Sequence, residues 1–203
     1  MATIRNGVLG SMSGRIGSMV FYNINGKQMV RSLPRKSNRK PTEAQLAQQM
    51  RITLISSYFS RITYLIGKGY GGSNKCISYH LKNALTGVYP HLTIDQSKVV
   101  LTKGRLECPL NATVSCLGKH TLNLTWGNSG YFWQDDEVIL IIYNEKQGVH
   151  NVMRTAVTRA IGIVNLTVPT SFSGQIVHCW LTFISRDGKQ FSNSSYLGEV
   201  TIS

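Results

Sequence analysis

At about residue 90 the chain changes its charge and its texture together. Up to Pro90 there are thirteen Lys and Arg residues against a single carboxylate, Glu43, whereas from His91 onward nine basic residues face eight acidic ones. The first segment carries a net +12 and the second +1, out of +13 for all 203 residues. Two differently built parts are expected, a basic module over residues 1–90 and a separate domain over residues 91–203. Uncompensated charge of one sign repels itself and concentrates counter-charge at the surface, so the basic module reads as the part that meets a polyanion.

The basic part reads as a hairpin followed by helices. Residues 19–24 and 27–33 are rich in β-formers, and Asn25-Gly26 between them accepts the positive φ angles of a type I′ turn. Glycines at 7, 10, 14 and 17 suit a turn-rich or bulged ribbon ahead of it. Residues 31–40, RSLPRKSNRK, hold five basic side chains and end at Pro41, a composition that cannot bury a face and predicts an exposed loop. Thr42 with Gln45 three residues on is a capping-box arrangement. Leu46, Met50, Leu54, Tyr58, Ile62 and Leu65 then recur at helical spacing, which predicts one amphipathic helix over residues 43–66. A shorter helix is expected from a cap at Asn74 to Thr86, ended by Gly87.

After Pro90 short β runs alternate with turn signals. Leu122, Leu124 and Trp126 alternate with Asn123 and Thr125; residues 138–143 are apolar on both faces, as in a central strand; Val164, Leu166 and Val168 alternate again. Val177, Cys179, Leu181 and Phe183 lie opposite His178, Trp180 and Thr182, with His178 expected on a half-exposed face. Asp187-Gly188 marks a turn before a last strand over residues 196–202. Adding residues 92–101 and 149–158 brings the count to about seven. The expected fold class is α+β: a β-hairpin and helices followed by an antiparallel immunoglobulin-like or fibronectin-like β-sandwich.

Catalytic and metal signatures are absent from the sequence. It contains no HExxH and no GxSxG, Gly26-Lys27 lacks the rest of a phosphate-cradling loop, and the early glycines do not form GxGxxG. Asp135, Asp136 and Glu137 form the one acidic cluster; a solvated turn is the simpler reading than a calcium site, because consecutive carboxylates seldom converge on one ion. Neither the five histidines nor Cys76, Cys108, Cys116 and Cys179 have ligand spacing, so no metal and no cofactor are expected. Reduced thiols are the simpler reading of the cysteines, with a Cys108–Cys116 bridge left open. The N-x-Ser/Thr triplets at Asn111, Asn123, Asn165 and Asn193 arise readily in polar strand faces. No apolar run is long enough to span a membrane and no Sec-type signal peptide is evident, which favours a cytoplasmic or virion-like location and leaves signal-independent export open.

The blocks NGVLGSMSGRIGSMVFY, NGKQMVRSLPRK, PTEAQLAQQMR, HLKNALTGVYPHLTIDQSKVVLTKG and FISRDGKQFSNSSYLGEV, in that order, resemble an uncharacterised bacterial family known only as a domain of unknown function. The resemblance implies an architecture, a basic amino-terminal module followed by a β-sandwich, and brings no activity with it.

The expected function is non-enzymatic, that of a structural or assembly protein in which Arg31, Arg35, Lys36, Arg39, Lys40 and Arg51 bind a polyanion, nucleic acid first. Ser32, Ser37 and Asn38 can add hydrogen bonds to phosphate oxygens, and Phe21, Tyr22 and Tyr70 are candidates for base stacking if exposed. The sandwich would serve as a scaffold or as a surface for other protein subunits in a larger assembly, and a component of a phage-like particle fits that layout. The alternative is an exported or cell-surface adhesion module that binds an anionic glycan or a partner protein. A solvated basic face is the plainest competing account of the charge.

Overall fold

The computed structural model describes residues 2–4, 12–35, 39–127 and 135–203. They form two compact units, Met1–Pro41 and Thr42–Ser203. The boundary between compact units therefore falls after Pro41, whereas the division into residues 1–90 and 91–203 follows the charge step after Pro90.

The first unit is a single antiparallel sheet. Strands β1 (Ala2–Ile4), β2 (Gly14–Ile16), β3 (Met19–Ile24) and β4 (Lys27–Ser32) lie in the order β1-β4-β3-β2. Asn25 and Gly26 take φ angles of 52° and 77°, as a two-residue primed turn requires, and so fix Ile24 opposite Lys27. Leu33 donates its backbone N–H to the Ser18 carbonyl at 2.7 Å, extending the pairing by one residue. No described residue of this unit is buried.

The second unit begins with helical segments. In α1 (Glu43–Phe59) the capping box forms as expected: Thr42 N–H donates to Gln45 Oε1 at 3.0 Å and Gln45 N–H to Thr42 Oγ1 at 3.4 Å. The single helix expected to Ile66 is instead interrupted. Ser57, Ser60 and Thr63 each donate a hydroxyl to the carbonyl three residues back, at 2.9, 2.8 and 2.7 Å, and the chain tightens into a 3₁₀ turn at Ser60–Ile62 before α2 (Thr63–Gly69). The buried stripe also differs from the expected one. Leu46 is 39% exposed and Leu54 half-buried, while Ile55, Tyr58, Phe59, Ile62 and Leu65 are buried. Residues four apart advance about 40° beyond a full turn, so a stripe drawn in steps of four rotates off the buried face.

Helix α3 spans Ser73–Asn83 and stops short of the expected Thr86. Residues beyond it form β5 (Leu85–Val88), which pairs with β6 (His91–Ile94) across a cis Tyr89–Pro90 peptide. Residues 92–101 are thus not a sandwich strand. The seventh strand is β7 (Leu110–Gly118), a segment without a sequence assignment: it lies at a sheet edge and its apolar residues Ala112, Val114 and Cys116 are only half-buried.

The sandwich consists of β7 with β8 (Thr121–Gly127), β9 (Glu137–Asn144), β10 (Val149–Thr158), β11 (Ile163–Thr167), β12 (Ile176–Ile184) and β13 (Ser195–Thr201). One sheet has the order β11-β8-β7 and the other β10-β9-β12-β13, every pair antiparallel. The central strand β9 explains why the helices belong to this unit. Val138, Leu140 and Ile142 face the three-stranded sheet, with Leu122, Leu124 and Phe183 in the same core. Ile139 and Ile141 face the other way, into a second core with Ile55, Phe59, Ile62 and Trp180. The four-stranded sheet is covered on both faces.

Candidate polyanion-binding surface

Strand register sorts the first unit's side chains. Cross-strand partners share a face, and the pairs Arg15↔Val20, Val20↔Arg31, Tyr22↔Met29 and Ile24↔Lys27 place Arg15, Lys27 and Arg31 on one face together with Tyr22. The pairs Ile16↔Met19, Met19↔Ser32 and Phe21↔Val30 make up the opposite face, which is free of charge at these positions. All three cations are exposed, and the Arg31 guanidinium lies 5.6 Å from the centroid of the half-buried Tyr22 ring.

The expected binding residues fall in several places. Arg31 is the last-but-one residue of β4; Arg35, Arg39 and Lys40 are exposed in the segment leaving the sheet. Lys36, Ser37 and Asn38 lie outside the described residues. Arg51 is exposed on α1, in the second unit. Among the stacking candidates, Phe21 and Tyr22 are half-buried, whereas Tyr70 is 8% exposed and a core residue, its ring 5.9 Å from that of His80. Arg15 and Lys27 were not singled out from the sequence, although Asn25-Gly26 carries the signal: once that turn sets the pairing, alternation puts Lys27 and Arg31 on one side.

The remaining polar groups are accounted for structurally. The three consecutive carboxylates diverge, Asp135 lying 3.9 Å from Arg186, Asp136 3.8 Å from Arg159, and Glu137 2.5 Å from Arg154. Burial pushes the Asp136 carboxyl up despite the guanidinium beside it. Among the described residues, no group of three or more His, Cys, Asp or Glu side chains could hold a metal ion. His80 is buried and doubly bonded: Nδ1 lies 2.7 Å from the Cys76 carbonyl, and Nε2 accepts from the Val100 N–H at 3.1 Å. Burial nonetheless holds its pKa below the ordinary histidine value.

His178, expected on a half-exposed face, is 5% exposed, with Nδ1 2.9 Å from the Tyr196 hydroxyl. The aromatic rings of Tyr143, Trp180 and Tyr196 surround it, and Tyr143 and Tyr196 are cross-strand neighbours that alternation within one strand does not reveal. The four cysteines are free thiols, so Cys108 and Cys116 are not bridged. Burial pushes the Cys76 and Cys179 thiols up to about 12.

A three-stranded sheet against a four-stranded one, with central strands β8, β9 and β12, defines an immunoglobulin-like or fibronectin-like sandwich, here within an α+β protein. Residues 11–198 match the Family of unknown function (DUF6266), and the chain belongs to that family. No curated protein matches it. Among solved structures, the fn3 domain of the human collagen alpha-1(XX) chain is similar with a TM-score of 0.37 and 16% identity, over 50% of this chain and 89% of that one. The FN5 domain of Drosophila Lar gives 0.35 and 11%, over 48% and 98%. Domains d3–d4 of the rat CD45 extracellular region give 0.32 and 10%, over 55% and 59%. The class assignment rests on the strand order and register. Among the described residues no helix is long and apolar enough to cross a membrane.

Proposed function

We propose that the protein is a non-enzymatic binding and assembly module whose first unit engages a polyanion, nucleic acid first, while the second unit serves as scaffold. One observation carries this reading: Met1–Pro41 holds eight Lys and Arg and neither Asp nor Glu, and register gathers Arg15, Lys27 and Arg31 on one face of the described sheet beside an aromatic ring. Like charges on neighbouring strands oppose folding, and this unit contains no carboxylate to offset them. A phosphate backbone supplies that counter-charge, and guanidinium and ammonium groups bind it without regard to base sequence. Tyr22 adds a surface on which a base can stack, a contact worth about 1–3 kcal/mol on single strands. Ile16, Met19 and Phe21 on the opposite face offer apolar contact to neighbouring subunits.

Fluorescence anisotropy with labelled single-stranded and duplex DNA tests the reading. The full chain should bind, and the fragment of residues 42–203 should lose most of the affinity. Equal binding by that fragment would place the contacts in the second unit and remove the basis of the proposal.

A further inference from the structure

A groove in the second unit combines an apolar floor with a cationic rim. It encloses about 460 Å³ between the Arg61–Lys68 helical stretch and side chains of β9, β10 and β12. Ile62, Leu65, Ile139, Ile184 and Phe191 make its floor, none more than 6% exposed. Tyr64 and Val152 stand beside it at 75% and 41% exposure. Arg61, Lys68, Arg154 and Arg186 ring it, with Asp187 as the one acidic lining residue.

The cations are not equivalent. Arg154 is paired with Glu137 at 2.5 Å, and Arg186 lies 3.9 Å from Asp135. Asp187 is occupied by the Ser185 hydroxyl at 2.5 Å and the Lys189 N–H at 3.1 Å. Among the described residues neither Arg61 nor Lys68 forms an ion pair with a carboxylate. Arg61, Tyr64 and Lys68 recur at helical spacing, and Lys68 Nζ sits 4.8 Å from the centroid of the Tyr64 ring.

An apolar centre inside a charged rim is the anatomy of a protein interface, and Arg and Tyr are enriched among the residues that dominate binding energy there. We propose that this groove docks an acidic peptide segment of a partner protein, with an apolar side chain on the floor and flanking carboxylates on Arg61 and Lys68. The sign of the rim fixes the sign of the partner. Its extent argues for a chain: the groove is open to solvent and its cations are spread around it. A small monocarboxylate would engage one of Arg61 and Lys68 and leave the other without a carboxylate. The described lining residues all belong to the second unit, so this docking is tested separately from polyanion binding by the first.

The test uses the full-length protein with labelled isoleucine methyl groups, observed by NMR during titration with a capped eight-residue peptide, three Asp or Glu on each side of Leu-Phe. Methyls of Ile62, Ile139 and Ile184 should shift saturably, while Ile16 and Ile24 report non-specific attraction to the basic sheet. Arg61→Gln with Lys68→Gln should weaken binding about tenfold, as should replacing Leu-Phe by Ser-Ser. The swap Arg61→Lys with Lys68→Arg, which keeps the charge, should retain it. Shifts confined to Ile16 and Ile24, equal binding of the Ser-Ser peptide, or an unaffected Gln variant would each overturn the proposal. So would dodecanoate moving the floor methyls while the peptide leaves them still.

Discussion

Trp180 donates its indole N–H to the backbone carbonyl of Val99 at 3.0 Å, joining the centre of β12 to a segment 81 residues earlier. Both residues are buried, and the same core holds Ile55 of α1 and Ile139 and Ile141 of β9. Substituting Trp180→Phe keeps most of the apolar body and leaves the Val99 carbonyl without its donor. A loss of about 1–3 kcal/mol is expected, the cost of a buried unsatisfied acceptor. Urea unfolding checks it, and a midpoint equal to the parent's would mean that the bond contributes nothing.

The shared core also predicts how the chain divides. Residues 42–203 should unfold as one cooperative unit, whereas residues 91–203 alone should bind hydrophobic dyes, because Ile139, Ile141, Trp180 and Ile184 lose their cover. Within α1, Ile55→Ala should cost about 2–5 kcal/mol and Leu46→Ala under about 0.5 kcal/mol, since the first is fully buried and the second exposed. Thermal melts of these variants and of the two fragments decide it; a well-folded 91–203 fragment would contradict the three-layer account.

His150 predicts a pH dependence. Its ring lies 4.6 Å from that of Tyr58 and 4.5 Å from that of Tyr143, and neither ring nitrogen has a hydrogen-bond partner. Burial, helped by the nearby Arg61, pushes its pKa down to about 4. A histidine in the unfolded chain titrates near 6.5, so between about pH 6.5 and 4 the unfolded state takes up a proton that the folded state refuses. Stability should therefore fall as pH drops through that window, by about 3 kcal/mol at most from this group. His80, also depressed by burial, acts in the same direction. Asp136, raised by burial, acts oppositely: its contribution is present at low pH and fades as pH rises through its folded pKa. In His150→Phe the fall between pH 6.5 and 4 should shrink by the His150 share; an unchanged pH profile from urea midpoints would rule this out.

How much of this was legible in the sequence depends on whether the signal was local. The capping box at Thr42 and Gln45, the Asn25-Gly26 turn and the two-faced strand β9 are set by residues close in the chain, and all three are found. The helix break at Ser60 needed the hydroxyls of Ser57, Ser60 and Thr63 to be weighed against an apolar pattern that runs straight through them. The burial of Tyr70 against Tyr79 and His80 of α3, and of His178 among Tyr143, Trp180 and Tyr196, depends on packing between elements, which local alternation does not encode. The charge step at Pro90 and the compact-unit boundary after Pro41 follow different properties of the chain, because the helical residues are basic on their exposed sides while their apolar faces share a core with β9 and β12. At the candidate site, the sequence exposes the basic loop, but grouping Arg15 and Lys27 with Arg31 takes the register of three strands.

The most direct test of the central claim is the salt dependence of nucleic-acid binding. Each phosphate contact releases condensed counterions, so log affinity falls against log salt with a slope of about −0.9 per contact on duplex DNA and about −0.7 on single strands. Replacing Arg15, Lys27 and Arg31 together by Gln removes at most three contacts from one exposed face and leaves the turn at Asn25-Gly26 intact. The slope should flatten by about two to three units, equally for unrelated base sequences, since backbone contacts carry no base information. A variant that keeps its circular dichroism spectrum and its parent's slope would contradict the assignment of this face to polyanion binding.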